Sequence, residues 1–194
     1  MRNVPATDQS AEVGRAAPPP VVRPDFRFVF ETELSFVWNT LRRFGVAERD
    51  LEDVAHELFV IVSRRLDEYD VTRPLRPWLF GIAFRCASDY RRRSQHRHEA
   101  LAGDDVGEVA DSAEAPDQTL IRGEELNLAR RALLAVPEER RAVLVLHDFE
   151  EVAMHEVAHA LAIPLKTAYS RLRVGRTELI EAARREQRAE KGAT

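Results

Sequence analysis

Several groups of residues in this sequence are spaced so that they could do chemistry. His155, Glu156, Val157, Ala158 and His159 spell HExxH. On a helix the two imidazoles would share one face as zinc ligands, with the glutamate between them activating water. Glu178 or Glu181 offers a third ligand. Asp53 and Glu57 stand one helical turn apart, the separation of a paired carboxylate acid and base. Arg85, Arg91, Arg92, Arg93 and Arg97 cluster with Trp78, Phe80, Phe84 and Tyr90. Cations and rings so mixed grip phosphates and stack exposed bases. Finally, Lys166, Thr167, Tyr169, Ser170, Arg171, Arg173 and Arg176 lie along one helical stretch, where cations hold phosphates and hydroxyls reach base edges.

The first two chemistries lack their surroundings. A helix carrying HExxH would end at Pro164 within two turns, the third ligand sits among arginines that repel a metal, and no strand is present to pair an extended peptide. The match is a coincidence of spacing. Asp53 and Glu57 have no pocket-forming glycines or metal partners around them and read as an acidic docking face. His56, His96, His98 and His147 form no ligand spacing. No catalytic residue, metal or cofactor is therefore expected. The arginine–aromatic block stays open between a nucleic-acid surface and a solvated helix end with Trp78 and Phe80 in the core.

The elements that must position these groups are helical. Phe30, Leu34, Val37, Trp38, Leu41 and Phe44 recur at three- and four-residue spacing after Phe26 and predict an amphipathic helix, ended by Gly45. A second helix gathers Leu51, Val54, Ala55, Leu58, Phe59, Val62 and Leu66 on one face. Asp67 to Pro77 is polar and breaks the pattern. A third helix carries Leu79, Ile82, Ala83, Cys86 and Tyr90 inward. Residues 26–98 thus predict a small bundle. Residues 99–119 read as a flexible acidic linker and 120–185 as a second helical unit, with a tail over 186–194. In that unit Pro137 opens a helix with Glu138 and Glu139 at its positive end. Val157, Ala158 and Leu161, then Ile163 in a turn, then Ala168 and Leu172 have helix-turn-helix proportions. The fold class is all-α, two small helical domains. Residues 1–25, with Pro18, Pro19 and Pro20, are expected to be a disordered arm.

Composition at first points away from nucleic acid: 29 basic against 33 acidic residues, net −4 in 194. The distribution reverses this. Residues 76–98 hold six basic and one acidic side chain, net +5, and residues 164–188 hold seven and three, net +4. Residues 99–119 hold seven acidic and none basic, net −7. Clustered cations attract polyanions because screening limits the reach of distant carboxylates. A single cysteine excludes a disulfide framework and fits a reducing compartment. No apolar run of about 20 residues is present to span a bilayer, and Met1 to Pro24 has no apolar signal region. A cytoplasmic protein with no membrane partner is expected.

Asp53 to Phe59, Tyr69 and Asp70, Arg76 to Ala83 and Asp89 to Arg93 together resemble region 2 of bacterial extracytoplasmic-function (ECF) sigma factors. Val136 to Leu146, Glu156 to Ala158, Leu161 to Pro164 and Ser170 to Leu172 resemble their region 4. The resemblance implies a subunit that binds core RNA polymerase, directs it to promoter DNA and promotes opening. Asp53, His56, Glu57 and Arg64 would dock on the β′ clamp helices. Tyr69, Arg73, Arg76, Arg85, Arg91, Arg92 and Arg93 would meet the −10 element. Lys166, Thr167, Tyr169, Ser170, Arg171, Arg173 and Arg176 would read the −35 element, and the other face of that unit would meet the β-flap. An anti-sigma factor is a further partner that the resemblance allows. The family often has Gly at the position of Lys166, Lys at that of Tyr169 and Gln at that of His56; this chain also carries Gly81 and Arg85 where Arg and Asn are common. The alternative is a helix-turn-helix regulator with an unrelated helical sensor domain, which leaves the pattern from Asp53 to Arg93 to coincidence.

Overall fold

The computed structural model describes residues 23–101 and 119–192. The expected arm, up to residue 22, and the expected linker over 102–118 lie outside the described residues. The first unit holds three helices, α1 (Phe26–Arg43), α2 (Leu51–Arg65) and α3 (Leu75–Leu101). The second holds α4 (Thr119–Leu134), α5 (Glu138–Leu144), α6 (Met154–Ala160) and α7 (Leu165–Gly192). No strand occurs among the described residues. α3 and α4 between them claim both ends of the stretch expected as linker, and α7 runs several residues past Arg185.

Each helix end has a local cause. α1 opens with the Asp25 carboxylate accepting from the Phe28 backbone N–H at 2.7 Å, the capping contact that satisfies an otherwise orphaned donor. It closes at Phe44 with Gly45 at φ +82°. There the N–H of Gly45 donates to the Arg42 carbonyl and that of Val46 to the Leu41 carbonyl, at 3.0 and 3.2 Å. This paired closure needs a left-handed residue, which glycine adopts without strain. Pro137 caps α5 from outside rather than opening its first turn. α5 then runs into a π-helical turn at Val145–Phe149, which shifts the helix before the chain leaves it.

Val29, Phe36, Val37, Leu41 and Phe44 of the first segment meet Leu51, Leu58 and Val62 of α2 and Leu79, Phe80 and Ala83 of α3, all buried. The expected stripe is rotated by one position at its start. Val29 takes the core site, while Phe26 and Phe30 stay 38% and 40% exposed and pack on the Phe59 ring of α2. In the second unit Val143, Leu144 and Leu146 lie under α6 and α7 through Val157, Ala168 and Leu172. The two groups of side chains form one continuous apolar cluster. At its centre the Phe44 ring meets Phe80 and Phe84 edge-on, at centroid separations of 5.6 and 5.4 Å.

Removing a fully buried ring that makes two aromatic contacts leaves a cavity the helices cannot close. Phe44→Ala is expected to lower the unfolding free energy by ~3–5 kcal/mol, read as a fall in the urea midpoint with the slope unchanged.

Candidate nucleic-acid interface

α2 carries an exposed polar stripe on the side away from its buried residues. Asp53, His56, Glu57 and Arg64 are all exposed, and the 4- and 7-residue spacings of Asp53, Glu57 and Arg64 keep them on one face. Next to the stripe, Phe26, Phe30, Trp38, Ala55, His56 and Phe59 line an open groove of about 550 Å³ between α1 and α2. The sequence pattern assigned Phe30 to the core. The exposure of Phe26 and Phe30, over a buried Phe59, instead gives this side of the first unit an apolar surface beside charged rims, the composition of a protein-docking face.

The polar stretch before α3 is a folded loop. The Asp70 carboxylate accepts from the Thr72 N–H at 3.0 Å and from its hydroxyl at 2.7 Å, and these bonds hold its carboxyl below the usual aspartate range. The Arg23 guanidinium donates to the carbonyls of Leu66, Asp67 and Tyr69 at 2.8, 2.9 and 3.1 Å, closing the end of the second helix. Tyr69, expected to contact DNA, is only 5% exposed. Its ring packs on Trp78 at 5.3 Å, its hydroxyl donates to the Arg73 carbonyl, and burial pushes its phenol up. Its place in the site is to shape the loop from beneath.

The arginines expected at the −10 element surround that loop and run along α3. Arg85 is exposed. Arg76 donates to Glu33 at 2.9 Å and lies over the Phe36 ring. Arg92 pairs with Asp89 within its own helix, and Arg93 reaches Glu57 on the polar stripe of α2 at 3.0 Å. Arg73 and Arg91 turn the other way, toward the second unit. Arg73 donates to Glu156 at 3.3 Å, and Arg91 pairs with Glu138.

α6 and α7 form the helix-turn-helix. Ala162 sits at φ +53° in its turn, with the Ile163 N–H on the Ala158 carbonyl at 2.9 Å, the same closure that ends α1. Ala168 and Leu172 face inward. Lys166, Tyr169, Ser170 and Arg173 face outward and Thr167 is half-buried. Arg171 is held by Glu139. Arg176 makes a bidentate pair with Asp148, at 2.8 and 2.6 Å, which pulls the aspartate below its usual range. The second half of α7 is anchored on α4 through Arg131 to Glu186 and Glu190, at 2.7 and 2.6 Å. The exposed first half therefore projects from a fixed stem.

The HExxH residues serve a different end. His155 and His159 are exposed, while Glu156 is turned toward Arg73. Among the described residues no group of three or more His, Cys, Asp or Glu is placed to hold a metal. Sequence reasoning did not find Glu138, Glu150 and Glu156 as counterions of the first unit, because nothing local marks a partner 47 to 107 positions away. Nor did it find Arg141, which is 4% exposed over the Phe44 ring. Its Nη1 donates to the Arg43 carbonyl at 3.3 Å and its Nε has no partner. Burial, reinforced by Arg91, lowers its pKa to about 10, so the guanidinium stays charged at neutral pH.

Residues 29–97 match the sigma-70 region 2 family. The chain is 29% identical over 140 residues to the RNA polymerase sigma factor NccH of Alcaligenes xylosoxydans xylosoxydans, covering 71% of this chain and 75% of that protein. It is 26% identical over 137 residues to the ECF RNA polymerase sigma factor SigW of Bacillus subtilis, covering 67% and 73%. In fold it resembles the sigma factor RpoE of Bartonella quintana, solved in complex with the anti-sigma factor NepR, with a TM-score of 0.58 at 20% identity over 80% of this chain and 96% of that one. No helix among the described residues is long and apolar enough to cross a membrane.

The Arg176–Asp148 pair gives a signed pH dependence. A carboxylate whose folded pKa is depressed contributes stability that is fully present above its unfolded pKa and is lost as pH falls through the folded value. Arg176→Ala is expected to lower stability at pH 7 and to flatten the loss of stability on acidification below pH ~4, measured by thermal melts between pH 7 and pH 2.5.

Proposed function

Because the chain is a sigma factor of the ECF type, we propose that it binds core RNA polymerase, brings it to promoters through −10 and −35 elements, and promotes DNA opening. It acts in the cytoplasm as an initiation factor without catalytic chemistry of its own. The observation that carries the reading is the agreement of two independent features. The segment matching sigma-70 region 2 ends in the arginine-rich α3, and a helix-turn-helix with an exposed basic reading face follows.

In this reading residues 26–98 form region 2, residues 99–119 the acidic linker, and residues 120–185 region 4. The stripe of Asp53, His56, Glu57 and Arg64 docks on the β′ clamp helices, with the aromatic groove beside it. Arg73, Arg76, Arg85, Arg91, Arg92 and Arg93 hold the −10 strand, over a loop that Tyr69 supports. Extruding a base costs a few kcal/mol, which stacking and phosphate contacts offset. Lys166, Thr167, Tyr169, Ser170 and Arg173 enter the −35 major groove. Arg171 and Arg176, held by carboxylates at its edge, meet the flanking phosphates. The opposite face of region 4 meets the β-flap, and an anti-sigma factor is the regulatory partner.

Run-off transcription with core polymerase across a pool of promoter fragments tests this reading; no template-dependent transcript above core alone would refute it. Asp53→Arg with Glu57→Arg is expected to weaken core polymerase binding at least tenfold in a pull-down titration, by reversing charge on the docking stripe. Arg173→Ala is expected to reduce the salt slope of promoter binding by about one unit, as loss of one phosphate contact requires.

A further inference from the structure

The groove between α1 and α2 is apolar and open, with a volume of about 550 Å³. Phe26, Phe30, Leu34 and Trp38 form one wall, and Ala55 and Phe59 the other. Phe26 and Phe30 meet the Phe59 ring at centroid separations of 6.3 and 4.8 Å, yet both stay exposed. Because α2 returns alongside α1, the groove runs from Phe26 and Ser63 at one end to Trp38 and Glu52 at the other. The chain before α1 enters the fold at the first of these ends. There the Arg23 guanidinium donates to the carbonyls of Leu66, Asp67 and Tyr69, one turn beyond Ser63. The residues just before it, 16–22, read Ala-Ala-Pro-Pro-Pro-Val-Val, an uncharged apolar run between Arg15 and Arg23. Glu52, at the far end of the groove, is exposed and makes no ion pair among the described residues.

We propose that residues 16–22 occupy this groove as a polyproline segment in the free chain, with Arg23 fixed at the end of α2 and Arg15 brought to Glu52 at its start. Three arguments select this occupant. The first is chemical: successive prolines favour the polyproline conformation, which enters aromatic-lined grooves at low entropic cost. The second is length. At ~3.1 Å per residue the chain from Arg23 back to Arg15 spans about 25 Å, against about 21 Å of helix from Leu66 to Glu52 at ~1.5 Å per residue. The third is charge, since the run ends in a guanidinium where the groove ends in a carboxylate. A segment too poor in bulky side chains to build a core still covers a face that other residues have built. The tether makes the contact intramolecular, at an effective concentration in the mM range, so a contact weak between separate molecules suffices. The inference concerns the free chain and goes beyond the function proposed above, which gives residues 1–22 no part.

The test uses the full chain carrying a maleimide nitroxide on Val13→Cys, just beyond Arg15. The native Cys86 is buried, and that burial pushes its thiol up to about 11 and protects it from maleimide. An undocked arm would hold residue 13 on average about 17 Å from Arg23, at ~5–6 Å × √n for n residues, and would broaden the amide signals of Ser63 and Arg64 most. The docked arm carries the label about 31 Å along the groove, so the signals of Glu52 and Ala55 are expected to lose about threefold more intensity than those of Ser63 and Arg64. Pro18→Gly, Pro19→Gly and Pro20→Gly together leave the core untouched and are expected to reverse that gradient. Glu52→Arg is expected to weaken it, and Arg15→Glu added to Glu52→Arg to restore it. A gradient greatest at Ser63 in the parent chain, or none, would overturn the docking and leave the groove to a partner protein. An unchanged gradient in the triple glycine variant would overturn the polyproline conformation, and one indifferent to Glu52→Arg would overturn the Arg15 contact. Broadening at Glu52 of an isotope-labelled chain mixed with a nitroxide-bearing, isotope-free chain would seat the arm on a second copy and overturn the intramolecular contact. None of these readouts involves polymerase or DNA.

Discussion

The turn at Phe44 and Gly45 is the constraint on which the rest of the structure depends. α1 must stop there for its apolar face to meet α2 and α3, and it stops because Gly45 takes a left-handed conformation that lets Leu41 and Arg42 complete their carbonyl bonds. The stop delivers the Phe44 ring into the space between Phe80 and Phe84. It also brings the backbone so close to the second unit that a Cβ on Gly45 would lie 3.2 Å from Leu134 Cδ2 of α4. The outer face of the same ring carries the Arg141 guanidinium of α5. One turn therefore sets the first bundle, the landing site of α4 and the ring over which Arg141 rests. A side chain at Gly45 would strain the backbone and crowd the Leu134 side chain of α4.

Arginine does two kinds of work in this molecule. Arg131 and Arg140 pair with carboxylates of α7 and make the stem of the helix-turn-helix rigid. Arg93 links α3 to the exposed polar stripe of α2 through Glu57. Arg85, Lys166 and Arg173 stay on exposed faces. Arg73 and Arg91 stand apart from both groups, since their partners are on a separate unit.

The helices themselves were legible because their apolar residues recur with a 3.6-residue period and their ends carry local signals. Gly45 and Pro164 were both read as breaks from the sequence, and both are. The helix-turn-helix was legible for the same reason. Its parts lie within 25 residues and each packs on its neighbour. Three features were not legible. Phe26 and Phe30 share the period of the core stripe, and periodicity alone does not say that Val29 takes the buried site. Tyr69 lies in a polar stretch that looks like open loop, and only the fold brings Trp78 under its ring. Glu156 was visible as the centre of HExxH, yet its partner Arg73 is 83 residues earlier in the chain. Charge pattern names the ions of a sequence; it does not pair them across that distance.

The junction between the units combines a continuous apolar cluster with partly buried ion pairs and a buried guanidinium. The apolar part gains roughly 25 cal/mol for each Å² it buries, in any orientation. The ion pairs add direction, since each guanidinium must meet its carboxylate at a fixed place, and Arg141, buried with an unpartnered Nε, opposes the gain. The ion pairs thus fix where the apolar faces meet, and Arg73 and Arg91 are two of the points on the first unit at which the second is held in register.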